Sequence, residues 1–211
     1  MRYATGAAFR MALADRLREE SLSTGLPLSR LRRTIAFDRL LARMVTSSPD
    51  AWLLKGGFAL QGCGLKTGLG QRKTSILCCS RRPKAVVPCY PLVQHVAEKV
   101  HALTRSRGNR DNSRVKDLVD LVVMAEQYSF EAAALEAAIR ATFEAQSHAV
   151  PQKLPEPPAA WRAEYQRMRR DVGATAEDID RASLLLDAFV LPVLRGTTRG
   201  QWLPAERHWA E

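Results

Sequence analysis

Acid is almost missing from the middle of this 211-residue chain. Between Gly64 and Arg110 the only carboxylate is Glu98, set against Lys66, Arg72, Lys73, Arg81, Arg82, Lys84, Lys99, Arg105, Arg107 and Arg110. Most of the net charge of +10 therefore sits in that stretch. Two readings stay open: a patch for a polyanion (nucleic acid or nucleotide phosphate), or a solvated basic loop. Aromatics are missing from Lys66 to Lys84, so these charges have no stacking platforms for bases among them. Also missing is any apolar run near the roughly 20 residues of a membrane span. The N-terminus, MRYATGAAFRMALADRLREE, is broken by charge and has no signal-peptide core. A cytoplasmic protein with no membrane partner is expected. Cys63, Cys78, Cys79 and Cys89 form no CxxC pair, so thiols in a reducing compartment are the default, with a zinc site that includes His95 as the alternative. Internal repeats and heptads are absent as well.

What is there is ordinary for a globular chain, 46% apolar and 26% charged, and long enough to bury a core. Its most informative stretch is WLLKGGFAL, from Trp52 to Leu60. Apolar residues run into Lys55-Gly56-Gly57 and an apolar segment follows, which predicts a short buried strand, a glycine turn and a helix start. Such a turn lets backbone pass close to a ligand and presents helix N–H groups to an anion, and Lys55 adds positive charge beside them. A plain tight turn is the competing reading.

Before that stretch the spacing predicts helices over 7–22, with Phe9, Leu13 and Leu17 on one stripe, and over 29–46, with Leu31, Ile35, Leu41 and Val45. After it, residues 62–84 break the pattern, leaving Ser75–Cys79 and Val86-Val87 as short strands. From Tyr90 the periodicity is strong. Pro91 fits a first helical turn whose buried face is Leu92, Val93, Val96, Val100 and Leu103. Ser113 is placed to cap a helix burying Val115, Leu118, Val119, Val122 and Val123, with Lys116 and Asp120 spaced to pair. Ser129 is expected to cap a third, with Phe130, Leu135, Ile139 and Phe143 inward. A proline-rich connector, 148–159, precedes helices over about 159–171 and 176–194. The second opens on Thr175–Asp178 as a capping box and is ended or kinked by Pro192. The tail GQWLPAERHWAE is expected to be loosely held. The fold class is α+β, divided into an N-terminal unit, 1–90, and a helical region, 91–211.

The chemistry concentrates on two of these helices. Asp117 and Asp120, three apart, share a face with Arg114 and Lys116 nearby. Glu98-Lys99 lies on the preceding helix. Two acids, two lysines and a glycine turn together suit a metal-bound triphosphate, whereas surface ion pairs are the alternative. His95 and His101 are expected at the core boundary, not as ligands.

LKGGFAL, YPLVQHVAEKVHAL and NSRVKDLVDLVVMA together resemble the AbiEii/AbiGii toxin nucleotidyltransferases, the toxin halves of bacterial type IV toxin–antitoxin and abortive-infection systems. The resemblance implies a nucleotidyltransferase fold, here with a reduced sheet, and transfer of a nucleotide from a nucleoside triphosphate, with Mg2+, to RNA (tRNA) or protein, under control of an antitoxin. It makes Gly56 and Gly57 the phosphate turn with Lys55 beside it, Lys99 a phosphate contact and Asp117 the acid of the last motif, supported by Glu98, Arg114, Lys116 and Asp120. The family's Arg-x-Thr-x-Asp-x-Asp falls on Arg72, Thr74, Ile76 and Cys78. The first two fit, but isoleucine and thiol stand where the metal's carboxylates belong, and magnesium takes hard oxygen ligands. The chain is also short between this point and Tyr90, where family members carry further strands and a third acid. Impaired transfer is the expectation, with a deletion or frameshift as its origin. The alternative is a non-catalytic basic module that holds RNA, nucleotide or an antitoxin partner.

Overall fold

A computed structural model of the chain describes residues 3–48, 51–56, 73–75, 86–105 and 114–211, with the chain path alone for 73–75 and 86–88. It is α+β and mostly helical, with seven helices among the described residues. Helix α1, Gly6–Thr24, is capped by the Thr5 hydroxyl, which accepts from the Ala8 N–H at 3.1 Å, and ends at Gly25 in the left-handed region. Helix α2 is Leu28–Ser47. Strands β1, Lys73–Ser75, and β2, Val86–Pro88, pair antiparallel. The expected strand over Ser75–Cys79 thus begins earlier, and residues 76–79 lie outside the described residues.

The buried strand expected at Trp52 is not formed. Trp52 and Leu53 are 45% and 57% exposed, and only Leu54 pairs, in an isolated parallel bridge to Cys89. Among the described residues, α1 and α2 bury Leu17 and Leu41 alone, and Leu41 with Cys89 forms a small core of its own.

The main core lies C-terminal to Tyr90. Helices α3, Leu92–Thr104, and α4, Val115–Gln127, carry it. In α4 the run Val115, Leu118, Val119, Leu121, Val122, Val123, Met124 and Ala125 is buried, because α3 and two later helices, α6 and α7, cover it from several sides. Around it are β3, Phe130–Glu131, α5, Ala132–Ala145, α6, Trp161–Val172, and α7, Ile179–Leu194. Ser129 does not cap α5. Phe130 is buried as expected, but on a strand, and α5 starts at Ala132. Ser113 lies outside the described residues, and Arg114 stands at the N-cap of α4. The capping box is also corrected. Asp178 is the N-cap of α7, accepting from the Arg181 N–H at 2.8 Å, while Thr175 hydrogen-bonds Glu126. Pro192 sits in the last turn, so α7 ends two residues later.

The tail is not loose. Strands β4, Gln201–Leu203, and β5, His208–Ala210, join β3 in an antiparallel sheet ordered β3-β4-β5. Trp202 is fully buried, packs at a tilt against Phe189 and Trp209, and donates its indole N–H to the Ala125 carbonyl at 2.7 Å. Gly200 (φ +78°) lets the end of β5 lie close to the chain just before β4, since a Cβ there would lie 1.9 Å from the Ala210 carbonyl oxygen.

Candidate functional site

Three short stretches meet beside α3. The Tyr90 N–H donates to the Leu54 carbonyl at 2.9 Å, next to the Leu54–Cys89 bridge, and so carries Lys55 to the start of α3. Lys55 Nζ lies 2.6 Å from Glu98 Oε2 and 4.2 Å from the centre of the Tyr90 ring. The Tyr90 hydroxyl donates to Glu98 Oε1 at 2.5 Å. Burial, then this bond and the charge of Glu98, push the Tyr90 phenol up to about 12. Glu98 itself is pulled up by burial, but Lys55 and Tyr90 outweigh this and hold it below the usual carboxylate range.

One residue along, Lys99 reaches α4. Its Nζ donates to Asp117 Oδ1 at 3.0 Å and lies 2.6 Å from Asp120 Oδ2. The second contact is a charge contact without hydrogen-bond alignment. Asp117 Oδ2 accepts from Arg114 Nη1 at 3.0 Å. The Lys99, Asp117 and Asp120 side chains are only 15%, 18% and 6% exposed, so this is a half-dry ion cluster, unlike a surface pair. Burial lowers the Lys99 ammonium, yet Asp120 and Asp117 more than offset this and keep it above its ordinary value.

The structure therefore brings together Lys55, Glu98, Lys99, Arg114, Asp117 and Asp120, with Gly56 next to Lys55 in the chain. Gly56 has φ +90°, a conformation that favours glycine. Lys116 does not join them. It is exposed on α4, and Asp120 pairs with Lys99 instead of with Lys116. Gly57, Arg72, Ile76 and Cys78 lie outside the described residues, as do Cys63 and Cys79, and Thr74 is described only as part of β1. Among the described residues no three of His, Cys, Asp and Glu are gathered as a metal site.

Two residues carry more than the sequence suggested. Tyr90, read only as the start of a helical motif, holds Glu98 with its hydroxyl and Lys55 over its ring. His95, expected at the boundary, is 3% exposed; its ring meets Tyr90 edge-on at 5.1 Å and its Nε2 has no hydrogen-bond partner. Burial, then Lys99 and Lys55, lower its pKa to about 4. His101 is also buried rather than at the boundary, against Phe143 and within 2.8 Å of His148 Nδ1. The i,i+4 spacing of His95 and Lys99 places both on one face of α3, the one signal that linked the histidine to the cluster.

A family model described as nucleotidyl transferase AbiEii toxin, type IV TA system, matches residues 67–188, more than half of the chain. No curated protein matches it.

Proposed function

Because this chain belongs to the AbiEii nucleotidyl transferase toxin family of type IV toxin–antitoxin systems, we propose that the cluster on α3 and α4 is its nucleotide-holding end. The observation that carries this is Lys99 clasped by Asp117 and Asp120 one residue from Glu98, which in turn holds Lys55. In the reading, Lys99 and Lys55 meet the phosphates of a nucleoside triphosphate, with Gly56, Gly57, Arg72 and Thr74 completing the phosphate turn. An acceptor hydroxyl on RNA (tRNA) or protein attacks the α-phosphorus, pyrophosphate leaves, and the hydroxyl proton passes to Asp117. Glu98, Arg114 and Asp120 hold the reacting groups in place, and charge on the leaving phosphates is met by the lysines.

The residues present do not fit the magnesium of the family. Asp117 and Asp120 already engage Lys99, and Ile76 and Cys78 offer no oxygen. We therefore place no step on a metal, and infer transfer that is weak or lost with nucleotide binding retained. Purified protein incubated with each labelled nucleoside triphosphate, magnesium and total RNA tests this, with Lys99→Ala alongside. Strong transfer that the variant loses would sink the impaired reading. If Ile76→Asp with Cys78→Asp restored transfer, the missing acids would be identified as the cause.

A second reading is a non-catalytic module, favoured by ten basic residues against one acid between Gly64 and Arg110. Polyanion binding would weaken steeply with salt, whereas an apolar antitoxin interface would not.

A further inference from the structure

We propose that His95 is a nucleoside contact, its imidazole offering Nε2 to the sugar or base edge of the bound nucleotide; this rests on the nucleotide reading above. A buried polar atom without a partner costs the fold free energy that an apolar residue would not, and the other buried residues of α3 include apolar Val96, Ala97 and Val100. The ring is nevertheless kept there, only 3% exposed, with Nε2 unpaired. Its surroundings point to a ligand. Tyr90, which also holds Glu98, packs edge-on against it, and the charges that act on it are Lys99, Lys55, Glu98 and Asp120, the members of the phosphate cluster themselves. Both lysines are committed to charge, so phosphate oxygens have partners of their own. An uncharged imidazole is a poor anion site and suits a neutral hydroxyl or ring nitrogen, to which it gives or from which it takes one hydrogen bond. The tautomer is set by whichever the ligand presents.

The test is calorimetric titration of the full chain with magnesium ATP and, separately, with magnesium tripolyphosphate, which has the phosphates and no nucleoside. His95→Phe should weaken ATP binding about tenfold, the worth of one hydrogen bond, and leave tripolyphosphate binding unchanged. Lys99→Ala should weaken both. The melting temperature of His95→Phe should not fall, because a buried unpaired nitrogen has been removed. Equal losses for both ligands, or no loss for either, would overturn the inference while leaving the nucleotide reading intact. If the parent binds neither ligand, the nucleotide reading itself fails and the inference with it. Should His95→Phe not fold, the 15N shift of His95 Nε2 in the parent decides: it should move with ATP and stay with tripolyphosphate, and any other pattern overturns the proposal.

Discussion

Helix α1 has 19 residues and buries one of them, Leu17, whereas α4 has 13 and buries nine. Length and helix propensity do not separate the two; cover does. Most helical stability comes from tertiary packing of an apolar face. Helix α4 is apolar nearly all round and is met by α3, α6 and α7. Helix α1 scatters Phe9, Met11 and Leu22 around its circumference and leaves them 49%, 69% and 87% exposed. The candidate site hangs between these regimes. Lys99, Asp117 and Asp120 stand on the well-packed pair, while Lys55 reaches it from the sparsely packed side through the Leu54–Cys89 bridge, the Tyr90–Leu54 hydrogen bond, the Tyr90 ring and the ion pair with Glu98.

The contrast can be broken most forcefully at Trp202. Trp202→Ala removes a fully buried indole and its bond to Ala125, and should cost about 4 kcal/mol in denaturant unfolding. A loss below about 1 kcal/mol would mean that the terminal sheet is an appendage. Lys99→Ala takes from buried Asp120 the cation that faces it and leaves Asp117 with Arg114 alone, and should cost about 3 kcal/mol. By contrast Lys55→Ala, whose side chain is half exposed, should cost under about 1 kcal/mol. Equal costs for the two lysines would erase the distinction between the sides of the site.

His95 sharpens the comparison through pH. Its pKa is lowered to about 4 in the folded chain from 6.5, so the unfolded state binds more protons between those values. The stability is fully present above pH 6.5 and is lost as pH falls toward 4, by at most about 3 kcal/mol. Melting temperature against pH should show this slope in the parent and lose it in His95→Phe. The smallest effect is expected at Leu22→Lys, within about 0.5 kcal/mol of the parent, since the leucine is almost wholly in solvent.

These differences also explain what could be read from residues alone. The helices from Leu92 to Leu194 are legible because their apolar spacing and their burial coincide; i,i+3 spacing puts Asp117 and Asp120 on one face, but that Lys99 of the preceding helix, and not Lys116, meets Asp120 is a tertiary contact that spacing does not encode. The strand at Trp52 was misread because an apolar run signals burial only if another element arrives to cover it, and here Leu54 alone is paired. The tail was misread for the opposite reason. GQWLPAERHWAE looks polar and proline-broken, yet the cross-strand partners Trp202 and Trp209 face Phe189 across 4.9 and 5.9 Å. Ser129 and Thr175 failed as caps because tertiary partners, the β3–β4 pairing and the Glu126 carboxylate, outcompeted local hydrogen bonds. Tyr90 under Glu98 depends on how α3 begins, which no spacing encodes.

The bond from the Trp202 indole to the Ala125 carbonyl spans 77 residues, and this sets an order in time. Helices α3, α4 and α5 follow one another along the chain and can associate early, whereas the sheet that closes over α4 must wait for a long-range encounter. Docking of Trp202 is thus expected among the last events of folding, after Lys99 has met Asp117. Its fluorescence would act as a clock for completion, reporting when the helices beneath the candidate site stop being a partial assembly and become a finished core.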